Sequence, residues 1–509
     1  MKTSIRRRLA AGKRRIETRL DKGDCRGCDR PMLRPANIRY ELAERTRGMT
    51  YGGIGSMLLL VRKLGLADAI DRRLHLLKIH LPYHESDHVL NLAFNALCDA
   101  TCLEDLELRR NDEVYLDAVH ARRIPDPTTA GDFCRRFQPH DVRTLLNVFN
   151  ETRLKVWAEQ PHEFFDEARV DMDGTMVVTT GECKEGMDIS YQGEWGYHPL
   201  VVTLANTGEV LGVVNRSGNR PSHEGCPEEV DSALDVCLRG GFRRVLLRGD
   251  TDFTQTKHLD RWSDDLRVRF IFGADCTPAL HIVADDLPNN AWEPLDRPVR
   301  YEIKTQSRAR PQKVKPRIVI ERQFKNIRLT GEEVAEFDYR PVACKRSYRM
   351  IVVKKYLDVT QGQSLLFHDY RYFFYLTNDR QHSATEIVLL ANDRCDQENL
   401  HAQLKGGVRA LHAPVDNLVS NWAYMVMTAL AWNLKAWWAL QLPQPEGERG
   451  KSQRQEKQRV LRMEFKTFLN AFMRLPCQIV NTGRRLIYRL LGWSPSLDVF
   501  FRLVDRLRT

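Results

Sequence analysis

The chain has 509 residues, of which 42% are hydrophobic, and a formal net charge of +11. This length is enough for about three domains with sizeable cores, and the charge favours a polyanionic partner, either nucleic acid or an anionic membrane. The start, MKTSIRRRLAAGKRRIETRL, is charged throughout and has no apolar stretch, so we do not expect a secretory signal peptide. Twelve scattered cysteines are typical of a reduced, cytoplasmic protein.

The N-terminal 165 residues fall into two parts. Residues 1–50 predict a basic arm, either a helix that forms on binding or a solvated tail. Within it, Cys25 and Cys28 have the spacing of metal ligands, but zinc needs a second pair that this neighbourhood lacks. Residues 51–165 predict a helical DNA-binding domain, with breaks at LPYHESD and IPDPTTAGDF. Gly52, Gly53 and Gly55 are interpreted as turn glycines rather than a phosphate loop.

Short strands replace helices after residue 165. Residues 166–276 read as three strands, a helix, a strand and a helix, which predicts an α/β fold: a ribonuclease-H-like mixed sheet with flanking helices. Residues 277–370 predict a β-rich insertion domain. Its predicted strands are VRYEIK, PRIVIERQF, NIRLTG, RMIVVKKY and YRYFFYLTN.

The rest of the chain is predicted to complete the core. Residues 371–442 form its second part, and residues 443–509 form a basic region for dimerisation or DNA contact. The apolar stretch 418–442 contains Asn433 and Lys435 among other polar residues, so we expect a buried helix rather than a membrane span. QPEGERGKSQRQEKQR is predicted to be an exposed linker.

Acidic residues lie where the sheet would carry them. In the strand RVDMDGTMVV, Asp171 and Asp173 point the same way, and burying both implies a nearby cation. Asp250 ends the apolar run RVLLRGD, where α/β sheets present functional groups, and Asp252 follows two residues later. A helix cap or turn residue is the alternative interpretation of Asp250.

A third acid lies on the best-bounded predicted helix, from the capping box Ser383–Glu386 to Gly406 and Gly407. A continuous helix would place Arg394, Glu398 and Lys405 on one face; an ordinary solvated face is the alternative. Two strand acids and one helix acid brought together could hold two Mg²⁺ ions for phosphodiester chemistry. Carboxylate oxygens suit Mg²⁺ or Mn²⁺ rather than zinc.

At these residues the sequence resembles the DDE transposases of bacterial insertion sequences, in the cut-and-paste branch with a β-strand insertion domain. The resemblance rests on DMDGT, LLRGDTDF, the spacing of Arg394, Glu398 and Lys405, DPTTAGDFCRRF and GYHPL. It implies that Asp173, Asp250 and Glu398 are the catalytic metal ligands, and that Arg394 and Lys405 contact DNA. Asp171 and Asp252 become supporting acids. Ala391 stands where the family has Tyr.

The resemblance also implies a reaction and its partners. Water nicks double-stranded DNA at the terminal inverted repeats, and the freed 3′-OH forms a hairpin or attacks target DNA. A homodimer on DNA, no membrane, and a cytoplasmic, nucleoid-associated location in bacteria are expected. Aromatic residues of the insertion, namely Trp292, Tyr370, Tyr372, Phe373 and Phe374, are candidates for stacking on a flipped base. The alternatives are a catalytically inactive DNA-binding protein derived from a transposase and a glycosidase.

Overall fold

The computed structural model describes residues 3–21, 38–41, 46–181, 184–298, 315–323, 325–361, 364–444, 448–483 and 485–508. Its N-terminal part is helical, as predicted. Cys25 and Cys28 lie outside the described residues. The elements of this part are α1 Thr3–Asp21, β1 Gly48–Met49, α2 Ile54–Leu64, α3 Leu66–Arg73, α4 Glu85–Leu97, α5 Leu106–Arg110, α6 Glu113–Ala118, α7 Pro127–Arg135 and α8 Pro139–Trp157.

Three details of this region refine the sequence interpretation. Residues 3–21 of the basic arm form helix α1, and its Gly12 lies against Trp493, where an added Cβ would come within 2.9 Å of the Trp493 Cβ. The break predicted at IPDPTTAGDF is shorter than expected, because Asp126 caps α7 by accepting the Thr129 N–H at 2.8 Å. Gly53 allows close backbone packing: an added Cβ would lie 1.9 Å from the Phe472 carbonyl oxygen.

The centre of the molecule is the predicted ribonuclease-H-like sheet. Strand β2 pairs antiparallel with β6, which pairs antiparallel with β7, and β2 pairs parallel with β8, which pairs parallel with β9. The spatial order β7-β6-β2-β8-β9 confirms the predicted mixed sheet. The elements are β2 Ala168–Gly174, β3 Val177–Val178, β4 Asp188–Ile189, β5 Trp195–Tyr197, β6 Leu200–Leu204, β7 Glu209–Val214, α9 Cys226–Arg239, β8 Val245–Gly249, α10 Thr256–Asp264 and β9 Val268–Ala274.

The insertion adds its strands to this same sheet. Its last strand pairs antiparallel with β9, so that Thr377 lies opposite Ile271, and the described sheet runs β10-β11-β12-β13-β9-β8-β2-β6-β7. The residue 370 boundary expected from the sequence falls inside β13. The elements are α11 Pro278–Asp285, β10 Glu293–Pro294, α12 Lys315–Glu321, β11 Lys325–Tyr339, β12 Tyr348–Gln361 and β13 Ser364–Thr377.

The strand predictions within the insertion had mixed outcomes. NIRLTG, RMIVVKKY and YRYFFYLTN are confirmed as parts of β11, β12 and β13. PRIVIERQF was predicted as a strand, but Lys315–Glu321 forms α12, in which Arg317 and Glu321 make an i,i+4 ion pair at 2.6 Å. VRYEIK lies outside the described residues.

The C-terminal part wraps helices around one long buried helix, α15, which confirms the predicted buried helix. No helix among the described residues is both long and apolar enough to cross a membrane. The predicted exposed linker is wrong over residues 448–459, which belong to α16 and bury Lys457. The elements are α13 Ala384–Asn392, α14 Asp396–Ala402, α15 Leu418–Leu440, α16 Glu448–Leu461, α17 Phe465–Phe468, β14 Cys477–Thr482, β15 Arg485–Leu490 and α18 Leu497–Leu507.

A buried carboxylate joins the helical region to the sheet. Glu209, on β7, accepts hydrogen bonds from Arg153 Nε of α8 at 2.9 Å and from the indole N–H groups of Trp157 and Trp437 at 3.0 and 2.7 Å. All four side chains are buried. Since a buried charge is tolerated only with such partners, this network fixes α8 and α15 against the edge of the core.

Candidate active site

Two parallel strands place the predicted acids side by side. The register of β2 and β8 sets Asp171 opposite Arg248. Asp173 lies two residues further along β2, and Asp250 directly follows β8. Because parallel strands advance together, both carboxylates reach the same end of the sheet.

Asp171 is matched by an arginine. Its two carboxylate oxygens accept hydrogen bonds from Arg248 Nε and Nη2 at 2.6 and 2.8 Å, and both side chains are buried. Burial raises the pKa of Asp171, and the Arg248 charge lowers it. Arg248 also donates to the Leu390 carbonyl of α13 at 2.8 Å. The cation that this strand acid required is therefore a guanidinium, which also ties α13 to the sheet.

Asp173 faces a different arginine. Its Oδ2 lies 3.5 Å from Arg394 Nη1 and 3.9 Å from His401 Nδ1, and 18% of its side chain is exposed. Burial raises the pKa of Asp173 to about 6; Arg394 lowers it, while the charges of Asp250 and Glu398 raise it. Negative charge is thus concentrated at this end of the sheet.

Asp250 acts both as a cap and as a second partner of the same arginine. Its Oδ1 accepts the Asp252 backbone N–H at 3.1 Å, as the alternative interpretation expected, and its Oδ2 lies 3.8 Å from Arg394 Nη2. Burial raises the pKa of Asp250, Arg394 lowers it, and the Asp252 charge raises it. The Asp252 side chain itself is exposed in the short turn Thr251–Phe253.

The segment carrying Glu398 is interrupted, which corrects the prediction of one continuous helix. The capping box is confirmed, because Ser383 Oγ accepts the Glu386 N–H at 3.2 Å and the Glu386 carboxylate accepts the Ser383 N–H at 2.8 Å. A 3₁₀ turn over Asp393–Cys395 then separates α13 from α14, and a π turn covers Gln403–Gly407. Spacing along an ideal helix therefore does not explain how Arg394, Glu398 and Lys405 come together.

Tertiary contacts, rather than helix spacing, hold this segment on the sheet. Gln397 donates to the Val201 carbonyl of β6 at 3.2 Å, which holds α14 on the sheet. Arg394 lies between Asp173 and Asp250, with 18% of its side chain exposed. Burial lowers the pKa of Lys405, and the charges of Glu194 and Asp173 raise it. The structure thus brings Asp173, Asp250, Glu398, Arg394 and Lys405 into one electrostatic neighbourhood.

Comparison with known proteins identifies the family. Residues 49–509 match the family described as Transposase DDE domain group 1. The chain belongs to this DDE transposase family. A cryo-EM structure titled as a piggyBac transposase synaptic complex with hairpin DNA is similar at 10% sequence identity and a TM-score of 0.33, over 84% of each chain. No curated protein matches the sequence.

The carboxylate side chains at this site of the DDE transposase are of the chemical type that binds divalent cations. Members of the family normally use divalent metal ions, and the site gathers carboxylates whose charges act on one another. Within the part of the chain that the structure describes, no three His, Cys, Asp or Glu side chains already form a ligand set. Arg394 stands between Asp173 and Asp250, so binding an ion there requires side chains to move.

Two functional candidates escaped the sequence interpretation. Arg248 was visible only as a single charged residue in the apolar run RVLLRGD. His401 follows Glu398 by three residues and is 7% exposed, and its Nε2 has no hydrogen-bond partner within the described ranges of the chain. Burial, together with the charges of Lys405 and Arg394, lowers the pKa of His401 to about 4. His401 is therefore neutral near pH 7 and does not compensate the carboxylates.

Ala391, which replaces the family Tyr, lies within α13. It packs against a small hydrophobic cluster that includes Ile387 and Val388 of α13 and Ile351 and Val353 of β12. The position is thus used for packing between the helix and the sheet.

Proposed function

We propose that this DDE transposase cleaves and rejoins DNA at the ends of an insertion sequence by a cut-and-paste reaction. The observation that carries the proposal is that Asp173 and Asp250, from adjacent strand ends, face one another across a single guanidinium, with Glu398 close enough to influence Asp173. These acids come from three separate chain segments. Membership of the DDE transposase family indicates the class of reaction, and the cluster of charged side chains is the proposed place where it occurs.

In this proposal each acidic side chain has a defined role. Asp173, Asp250 and Glu398 would hold two Mg²⁺ ions, or Mn²⁺ in their place, through carboxylate oxygens. The bound ions would activate the attacking oxygen and stabilise the leaving one. Asp171 takes no direct part; with Arg248 it keeps β2, β8 and α13 in register. Asp252 positions Asp250 through its backbone N–H.

Basic residues would hold the DNA. Lys405 neutralises a phosphate beside the acids, and Arg394 presents a planar fork that matches phosphate oxygens. The net charge of +11 and the exposed Arg6, Arg7 and Arg8 of α1 fit a large polyanion. We propose double-stranded DNA with terminal inverted repeats as substrate, target DNA as acceptor, and a homodimer that pairs two ends.

The test is cleavage of a labelled duplex that carries the element's terminal repeat, in Mg²⁺. Inverted repeats and short direct duplications in the DNA flanking the gene would identify that repeat. We expect Asp250→Asn to lower the cleavage rate by roughly three orders of magnitude, because a metal-binding carboxylate is lost. Asp235→Asn is the matched control, since Asp235 is an exposed residue of α9 paired with Arg239.

Two outcomes would contradict the proposal. Equal cleavage by wild type and Asp250→Asn would show that the acids are misassigned. Tight binding of the repeat without cleavage by either protein would instead identify a DNA-binding derivative that no longer cuts.

A further inference from the structure

The two arginines beside the strand acids are held in different ways. Arg248 contacts both Asp171 oxygens at 2.6 and 2.8 Å, which are hydrogen-bond distances, and is almost fully buried. Arg394 lies 3.5 and 3.8 Å from its two carboxylates, beyond ordinary hydrogen-bond length. Among the residues that the structure describes, its buried Nη1 has no hydrogen-bond partner. The contacts of Arg394 with these two carboxylates are therefore charge attractions rather than hydrogen bonds.

Arg394 also faces the oxygens that a cation would use. At Asp250, Oδ1 is engaged by the Asp252 N–H, and Arg394 Nη2 faces the other oxygen, Oδ2. At Asp173, Arg394 Nη1 faces Oδ2. A guanidinium and a divalent cation cannot both neutralise these two atoms at close range, because like charges repel at such distances.

Arg394 has a route out of this position. It lies in the 3₁₀ turn between α13 and α14, and 18% of its side chain reaches solvent. A DNA phosphate offers the guanidinium two oxygens in a fork geometry that the present contacts lack. Leaving the carboxylates for a phosphate would thus exchange two long contacts for hydrogen bonds.

We propose that Arg394 is an internal counterion that occupies the carboxylate pair until DNA draws it away, so that metal binding and DNA binding favour each other. This inference rests on the proposed function, since it assumes that Asp173 and Asp250 are metal ligands. It predicts that Arg394 opposes ion binding in the DNA-free protein. By thermodynamic reciprocity, a metal ion that displaces Arg394 also raises the affinity of the protein for DNA.

The test is Mn²⁺ binding to the DNA-free full chain, measured from the electron paramagnetic resonance signal of unbound Mn²⁺. We expect Arg394→Gln to bind Mn²⁺ roughly tenfold more tightly than wild type. Lys405→Gln is the matched control: it removes the same charge from the same neighbourhood, but Lys405 forms no ion pair with Asp173 or Asp250 in the described structure. We expect its affinity to change less than about threefold. Circular dichroism and thermal melting establish that both variants fold.

The outcomes separate the inference from the proposed function. If Arg394→Gln binds Mn²⁺ no more tightly than wild type, and the wild-type protein cleaves DNA, only the counterion role of Arg394 is overturned. An equal gain in Lys405→Gln also overturns it, because the effect would then be general electrostatics. Absence of cleavage, together with Mn²⁺ binding that Asp250→Asn leaves unchanged, would overturn the proposed function as well.

Discussion

Asp171 and Arg248 form a buried ion pair that connects strands β2 and β8 to helix α13. The pair is buried and hydrogen bonded twice, and Arg248 reaches the Leu390 carbonyl as well. We expect Arg248→Met to lower the free energy of unfolding by about 3–5 kcal/mol, because it leaves an uncompensated buried carboxylate. Urea denaturation followed by tryptophan fluorescence measures this loss.

A double variant tests whether the charge is the cause. Asp171→Leu combined with Arg248→Met removes both charges, so we expect it to be more stable than Arg248→Met alone. If the double variant were no more stable than the single one, packing around Arg248, not its pairing with Asp171, would account for the loss.

Helices α15 and α16 are joined by two reciprocal lysine contacts. Lys435 of α15 donates to the Leu461 carbonyl at the end of α16 at 2.9 Å, and Lys457 of α16 donates to the Leu440 carbonyl at the end of α15 at 3.0 Å. Each lysine thereby satisfies the last turn of the other helix. Burial lowers the pKa of Lys435 to about 7 and that of Lys457 to about 8.

These lysines make stability depend on pH. In the unfolded chain Lys435 keeps its ordinary pKa near 10.5, so from about pH 7 upward the native state loses the proton first. Stability therefore rises with pH: the cost of burying the charge is fully present below pH 7 and declines progressively as the pH rises from about 7 towards 10.5. We expect wild type to gain about 2 kcal/mol between pH 7 and pH 9 relative to Lys435→Met. Chemical denaturation at pH 7, 8 and 9 measures the difference.

The control is Lys257→Met, which alters an exposed lysine on α10 and should follow wild type at each pH. Parallel pH profiles for wild type and Lys435→Met would show that Lys435 carries no charge cost in the folded protein.

Strand β13 carries Tyr370, Tyr372 and Phe374 on one face and Phe373 on the other. Tyr372 and Phe374 are 5% and 2% exposed, whereas Tyr370 and Phe373 are 40% and 42% exposed. Phe373 shares its face with Tyr375. Burial raises the pKa of Tyr375, and the charges of Arg297 and Arg394 lower it. Phe373 is therefore the exposed ring on the face that continues to the acids.

Phe373→Ala should weaken binding to a duplex with unpaired terminal bases by about 1–3 kcal/mol, because one stacking surface is lost. Fluorescence anisotropy measures the affinity. Phe374→Ala is the adjacent comparison: it opens a cavity in the core and should instead lower the free energy of unfolding by about 3–5 kcal/mol. Unchanged affinity in Phe373→Ala would exclude this ring from base stacking.

At the scale of the whole molecule, the sequence predicted those parts of the fold that depend on local pattern. The strands around Asp173 and Asp250, helix α9 and the capping box at Ser383 are each determined by periodicity or short-range hydrogen bonds. The pattern did not predict β9, and it misassigned α16 as an exposed linker. Lys457 of α16 is buried and donates a hydrogen bond to the Leu440 carbonyl of α15. Local sequence pattern does not predict such contacts, because they join residues that are not neighbours along the chain.

The candidate site divides in the same way. Sequence spacing and family resemblance selected the residues Asp173, Asp250, Glu398, Arg394 and Lys405; in the structure Asp173 and Asp250 both face Arg394. The sequence pattern could not predict that Arg394 faces two carboxylates, because these partners of Arg394 lie more than 140 positions earlier in the chain. Nor could it predict the turn at 393–395, which depends on how α13 and α14 each pack on the sheet.

The three long antiparallel strands β11, β12 and β13 have a base and a tip with different environments. At the base, Val334, Ile351 and Val353 pack beneath Ile387 and Val388 of α13, while Ile327, Leu329 and Phe367 near the tip are exposed. Truncation near the tip would leave the packing beneath α13 intact, whereas excision of all three strands would expose the apolar side of α13. An engineered minimal enzyme must therefore keep the proximal half of these strands, even if the distal half proves dispensable.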